Sequence, residues 1–412
     1  MAAVVRIAVA ACIVAIPVSG LTQDIAIRGD VVYPVTAEPI ENGVVLVRNG
    51  QIAAVGPAST VSLPAGIRVI DAAVVTPGLI DSRSVVGLAG YLNQPHDQDQ
   101  LERSEAIQPE LRAIDAYNPR EPLVAWLRSF GITTIHTGHA PGEIVSGQTL
   151  IAKTVGDTVA ESVIVPLAMV AATLGEGAVV PEPGLRKSPG NRSKAAAMLR
   201  AELVNARTYL DKLAADEKDD DKDPPERNLR LEALGSVLAG DTPLLVTVHR
   251  HQDIATAMRI AEEFDIRLVL DGAAEAYLLL DEIMAADIPV LVHAPMTRAF
   301  GERENLSFTT PAKLLAGGIP FSFQSGYEAY VPKTRVVLFE AAVTLAHGLS
   351  AGQALAALTI DAARILGIDE RVGSLEVGKD GDLALFDGDP FEYTSHAIGT
   401  IIDGVHVSDL KR

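Results

Sequence analysis

Short β-branched runs at both ends of this chain enclose a long middle in which strand-like and helix-like segments alternate. Few folds accommodate that order. On the N-terminal side, "DIAIRGDVVYP", "GVVLVRNGQIAAVG" and "IRVIDAAVVTP" surround Asn49-Gly50, a strong hairpin turn. From Pro77 the pattern becomes strand then helix, repeated. Strands are expected at 78–81, 133–137, 164–169, 244–249, 268–271, 290–293 and 320–324, with amphipathic helices including 254–264, 276–286 and 334–346. Such alternation predicts an α/β fold whose parallel sheet closes as a (β/α)8 barrel, a TIM barrel, over 76–371. The final stretch, "VGSLEVGKDGDLALFDGDP" and "IGTIIDGVHV", returns to strands. The two ends, 21–75 and 372–412, are therefore expected to meet in a small β-sandwich.

Composition narrows the class. Hydrophobic residues make up 48% of the 412 and aromatics only 4%, so the core must be built from Ala, Val, Leu and Ile. The formal charge of −19 repels phosphate backbones and argues against nucleic-acid binding. Asp216 to Pro225, "DEKDDDKDPP", reads as a solvated acidic loop.

The first residues read as an export signal over 1–20. Arg6 precedes an apolar run from Ile7 to Val18, and Val18-Ser19-Gly20 offers small residues for cleavage. An uncleaved anchor or a buried strand is the alternative. The expected location is periplasmic or extracellular, with no membrane span after signal removal. Cys12, the one cysteine, lies inside this segment, so any metal site must come from His, Asp and Glu.

The text of both ends carries a resemblance. "VIDAAVVTPGLIDSR", "TIDAARILGIDERVGSLEVGKDGDLALFDGDP" and "IIDGVHV" closely resemble the amidohydrolase superfamily, in particular its imidazolonepropionase-like branch. "GITTIHTGHAPGEIVSGQTLIAKT" and "TVHRHQDIATAMRIAEEF" resemble that branch at strands two, three and five. The resemblance implies metal ions at the C-terminal mouth of the barrel, activating water toward an amide-like or ester-like carbon. It also implies ligands at a His-x-His on strand one, a His each on strands five and six, and an Asp ending strand eight, which takes the proton from the water.

Most of those positions hold other residues. Arg83 and Val85 stand where the His-x-His belongs, and a guanidinium has no lone pair for a metal. Strand five keeps His249, with His251 two residues on. Strand six offers Asp271, and strand eight offers Gln324 or Ser325 in place of the Asp. A site rebuilt from His249, Asp271, His251, His136 and His139 would hold one divalent metal, zinc first; the other outcome is no metal. His136 and His139 also read as loop residues bonded to backbone, and His293 as a strand-end hydrogen-bonding residue. Arg83 is expected either to pair with Asp271 or Glu275 or, with Glu275, to bind substrate. The polar segment after strand one, "GYLNQPHDQDQLERSEAIQPELRAIDAYNPREP", is expected to lie over the mouth as a lid.

Two functions follow. One is a non-catalytic member, a binding protein or a partner subunit of an active paralogue, as a hetero-oligomer or homo-oligomer. The other is a hydrolase of carbon–nitrogen bonds with an altered metal site, taking a small amide or peptide-like ligand.

Overall fold

The structure is a computed structural model that describes residues 24–179, 188–216, 225–328 and 334–412. The expected signal segment, with Cys12, and all but the ends of the acidic run lie outside the described residues.

Four strands begin the described chain: β1 (Ile25–Val32), β2 (Ile40–Arg48), β3 (Gln51–Pro57) and β4 (Arg68–Pro77). Asn49 and Gly50 have φ of 50° and 82°, the pair of positive values that a tight β2–β3 hairpin demands. β1 lies antiparallel to β2 and parallel to β4.

β4 runs straight into the barrel. Its strands are β5 (Leu79–Ser84), β6 (Ile132–Gly138), β7 (Val145–Lys153), β9 (Val170–Thr173), β10 (Leu244–Val248), β11 (Leu268–Gly272), β12 (Val290–Val292) and β13 (Phe321–Phe323). The short β8 (Val163–Val165) pairs with β7 at its edge. β13 meets β5 through Gly326 N–H donating to the Arg83 carbonyl (3.0 Å), which nearly closes the ring. Gly78 is required at the entry, because a Cβ there would lie 2.1 Å from Thr133 Oγ1.

Two expectations need correction. The barrel is not wholly parallel, because β7 runs antiparallel to both β6 and β9. It returns directly from β6, with no helix between to reverse the chain. The strand expected at 164–169 divides around Pro166, which cannot donate to a ladder, and the barrel member falls later, at Val170–Thr173.

The strands are buried on both faces, as continuous apolar runs require. Leu244, Val246, Val248, Leu268, Leu270, Val290 and Val292 pack outward in the core that includes the surrounding helices. Leu245, Val269, Leu291, Ile80, Ile151 and Met169 pack in a separate cluster with Ala362, Ala363 and Leu366. The helix Ile360–Leu366 thus plugs the barrel floor. Inward positions one step further up each strand are polar, and this places the candidate site at the opposite, C-terminal end.

β14 (Leu383–Phe386), β15 (Ala397–Ile402) and β16 (Val405–Ser408) return to the first sheet, where β14 pairs antiparallel with β4. Both chain ends therefore share one hydrogen-bonded path of seven strands. One face packs Ile27, Val45, Val75, Leu383 and Ile401; the other buries Ala26, Val44 and Leu46 under Val61 and Leu63. Lys153, at the floor end of β7, ties this sheet to the barrel. Its Nζ donates to Asp380 (2.7 Å), Asp382 (3.2 Å) and Asp403. No helix among the described residues is long and apolar enough to cross a membrane.

Candidate functional site

Alternation along β10, β11 and β13 brings Thr247, Asp271 and Gln324 to the barrel axis, where Arg83 of β5 meets them. All four are buried. Thr247 Oγ1 donates to Asp271 Oδ2 (2.5 Å), and Gln324 Nε2 donates to Asp271 Oδ1 (2.6 Å) and to the Leu291 carbonyl (2.8 Å). Arg83 Nε lies 3.8 Å from Asp271 Oδ2. Its Nη1 donates to the Ser84 carbonyl (3.3 Å) and its Nη2 to the His139 carbonyl. The Asp271 carboxylate is thereby shared among a hydroxyl, an amide and a guanidinium.

Behind Arg83, Asp81 Oδ1 accepts from Ser325 N–H (2.9 Å) and Arg83 N–H (3.3 Å). Burial pushes this carboxyl up to about 7 in spite of those bonds. Sequence reasoning gave Asp81 and Thr247 no role. Thr247 was visible as the polar residue of an otherwise apolar strand, whereas Asp81 sits among other polar residues of β5.

One step above this layer, His249 and His293 face a cavity of about 50 Å³, which Arg83, Ser84, Gln324, Ser325 and Arg303 also line. Gly272 permits the approach: its φ is +81°, and a Cβ would stand 2.5 Å from His249 Cε1. Burial foremost, with the charge of Arg303 adding to it, holds His249 down at about 3 and His293 at about 4, so both are neutral at pH 7. Among the described residues no group bonds His249 Nδ1 or Ser84 Oγ, and no side chain bonds the His293 ring, which sits against the backbone of Ala294.

The other expected site residues separate from this cluster. His136 is consumed inside the barrel: Nδ1 bonds the Ser82 carbonyl and Nε2 bonds Thr149 Oγ1, each at 2.7 Å. With both nitrogens engaged it is not a metal ligand. His139 is buried with neither ring nitrogen bonded, and burial beside Arg83 lowers it to about 4; it does not line the cavity. His251 fails because the strand stops at Val248 and a helix starts at His251, so the two-residue strand spacing does not apply. Its ring bonds Glu275 Oε2 at 2.8 Å. Glu275 is neither the partner of Arg83 nor a free substrate ligand. It also accepts from His251 N–H (2.8 Å) and Asn305 (2.7 Å) and lies 3.5 Å from Arg250. Burial would raise it, but those donors hold it at about 2. Val85 is buried at the cavity wall as an apolar residue.

Two loops complete the mouth. The segment after β5 packs along β7, with Gln108 N–H donating to Val145 O (2.9 Å), and brings Gln100 Nε2 to Tyr327 Oη (3.4 Å) at the rim. The segment after β12, missed from sequence, carries Arg303 to the cavity. Its Glu302 accepts from Glu176 N–H, Gly177 N–H (3.2 Å) and Arg192 (3.2 Å), and Glu304 pairs with Arg250 (2.8 Å). Acidic residues in a loop signal solvent in a sequence, so their clasping role was not legible.

A divalent cation does not fit these residues. Asp271, the carboxylate at the centre, already accepts from Thr247 and Gln324, and Arg83 puts a fixed positive charge 3.8 Å from it. Among the described residues no group of three or more His, Cys, Asp or Glu side chains is gathered to hold an ion.

Residues 327–407 match the family model described as Amidohydrolase family. Among curated proteins, the amidohydrolase TasK of Hapsidospora irregularis is 24% identical over 409 residues; the match covers 88% of this chain and 39% of that protein. The chain thus spans about two fifths of that relative's length. Among solved structures, an amidohydrolase from Thermotoga maritima is 28% identical with a TM-score of 0.88, covering 94% of this chain and all of the other. An adenosine deaminase from Xanthomonas campestris with bound zinc shares the fold at 17% identity and a TM-score of 0.54, covering 93% of this chain and 92% of that one.

Proposed function

We propose that this chain, which belongs to the amidohydrolase superfamily, uses its barrel mouth to bind a ligand or support a partner and does not hydrolyse through an activated water. One observation carries the reading. The carboxylate of Asp271 accepts from Thr247 and Gln324 with the Arg83 guanidinium 3.8 Å away, and the resemblance puts Gln324 or Ser325 where the family's proton-accepting Asp on strand eight belongs. An amide cannot accept a proton from water near neutral pH, and a guanidinium beside the carboxylate repels the cation that would activate one. The chain is proposed to act outside the cytoplasm, as a homo-oligomer or beside an active relative. Its place in the imidazolonepropionase-like branch rests on the motifs of its two ends.

Metal analysis of the purified full chain, paired with hydrolysis assays on dipeptides and cyclic amides, tests this. The expected result is a metal content far below one per chain and no turnover. Stoichiometric zinc that disappears in His249→Ala, together with hydrolysis lost in the same variant, would overturn it. The second reading, a carbon–nitrogen hydrolase with a reduced metal site, draws on His249 and His293, whose rings line one cavity. Two imidazoles fall short of the three protein ligands that a catalytic zinc ordinarily takes.

A further inference from the structure

The mouth cavity has an imbalance of hydrogen-bonding groups. Its carboxylates are engaged: Asp271 as described, and Glu328 by Thr297 Oγ1 (2.7 Å) and Arg335 Nη2 (2.9 Å). Among the described residues Ser84 Oγ and His249 Nδ1 have no hydrogen-bond partner and no side chain meets the His293 ring, whose neighbour is the Ala294 backbone; each of these side chains can donate one hydrogen bond. Ser84 is 1% exposed and His293 2%, so bulk water does not satisfy them. Two guanidiniums, Arg83 and Arg303, line the same space, and the charge of Arg303 reaches both imidazoles. Three side chains that can each turn a donor to the same space, beside two guanidiniums, suit an acceptor-rich and negatively charged guest. The volume of about 50 Å³ holds roughly three water-sized positions, the size of one carboxylate and not of a whole peptide.

We propose that this cavity receives the carboxylate of a small organic acid, or the terminal carboxylate of a larger ligand, with Ser84, His249 and His293 donating to its oxygens and Arg83 and Arg303 supplying the field. The inference rests on the reading that no cation occupies the mouth. An anion would then stand near the place where other members of the superfamily are expected to hold metal.

The test uses the full chain labelled with ¹⁵N-histidine, with its metal content measured on the same sample. Acetate is expected to shift the ring resonances of His249 and His293 saturably, while those of His136, whose nitrogens are both bonded inside the barrel, stay put. Acetamide, equal in shape but uncharged, should bind weaker by about tenfold or more, the loss of one charge-assisted interaction. His293→Phe should abolish the acetate response, and Ser84→Ala, which removes only a hydroxyl, should weaken it several-fold. N-acetylglycine shifting the same resonances would assign the site to the end of a larger ligand; acetate alone doing so would assign it to a small acid. Metal-free protein that ignores acetate, or that answers acetamide equally, overturns the proposal and leaves the binding reading standing. Stoichiometric metal overturns that reading itself.

Discussion

The barrel buries a cation at each end, and the two ends treat it differently. At the floor, Lys153 Nζ is ringed by three aspartates, all within 3.2 Å, and their charges raise its affinity for the proton although burial works against it. At the mouth, Arg83 has one carboxylate at 3.8 Å and its side chain otherwise donates to carbonyls, with the His249 and His293 rings and the Ser84 hydroxyl lining the same cavity. The floor is a closed cross-link between β7 and the two loops of the terminal sheet that carry Asp380, Asp382 and Asp403. At the mouth, Asp271 is held by Thr247 and Gln324, while Ser84 Oγ and His249 Nδ1 on the cavity side have no partner among the described residues. Where every charge is answered the role is structural; where donors remain over, the geometry is suited to a guest.

The largest effect is expected from breaking the floor. Asp380 has a second cation in Arg371 (2.8 Å), but Lys153→Met leaves Asp382 buried without its counter-charge, which should cost about 3–5 kcal/mol. Urea unfolding, followed by circular dichroism and by the fluorescence of Trp126, the single tryptophan, measures it. Asp403→Asn, at a half-exposed carboxylate, should cost only about 1 kcal/mol or less. Equal losses in the two variants would show that the three carboxylates do not act through burial.

Arg83→Met comes next. Asp271 keeps Thr247 and Gln324 but loses its counter-charge, so the loss should be about 1–3 kcal/mol, smaller than at the floor. A Lys153→Met loss smaller than that of Arg83→Met would reverse the contrast between the two ends.

The acid limb of stability separates them further. The His293 imidazole is near 4 in the folded chain and near its ordinary 6.5 when unfolded. Between those values the unfolded state binds the extra proton, so stability falls as pH falls, by about 1.4 kcal/mol per pH unit for each such imidazole. Asp81 acts oppositely. Raised to about 7, it holds a proton in the folded state from its ordinary value upward, so its contribution is lost as pH rises through that window. His293→Phe should therefore flatten the slope below pH 6.5, and Asp81→Asn should steepen it. A slope unmoved by His293→Phe would mean that its ring is already charged or solvated.

Much of this was legible beforehand because it follows from pattern. Strand–helix alternation, the Asn49-Gly50 turn and the strand-rich ends give the barrel and its companion sheet. Arg83, two residues after "PGLID", was expected to pair with Asp271 or Glu275, and it lies 3.8 Å from Asp271. Direction and partnership were not legible. "EIVSGQTLIAKT" has the periodicity of a strand whichever way it runs, so only the short return from β6 makes β7 antiparallel. His136 and His293 look alike in sequence, each a histidine near the end of an apolar strand. They differ because Ser82 and Thr149, brought together by the fold, hold both nitrogens of the first, whereas the second sits against the backbone of its own neighbour Ala294. Glu302 and Glu304 read as solvated charge until the fold sets backbone amides and arginines against them.

The smallest expected effect tests whether the mouth is held shut by those charges. Glu302 is clasped by two backbone amides and Arg192, and its neighbour Arg303 reaches the cavity. Glu302→Gln keeps the shape and removes the charge, which should loosen the loop by about 0.5–1.5 kcal/mol while leaving the barrel unaffected. Amide hydrogen exchange at residues 301–305 should then quicken by up to about tenfold, with β10 and β11 unchanged. If the polar clasp controls access, acetate should also reach His293 faster in this variant, without a matching gain in affinity. Unchanged exchange would instead assign the closure to the stacking of Arg303 on Phe300 and to the Asn305–Glu275 bond, and Asn305→Ala would become the variant that opens the mouth.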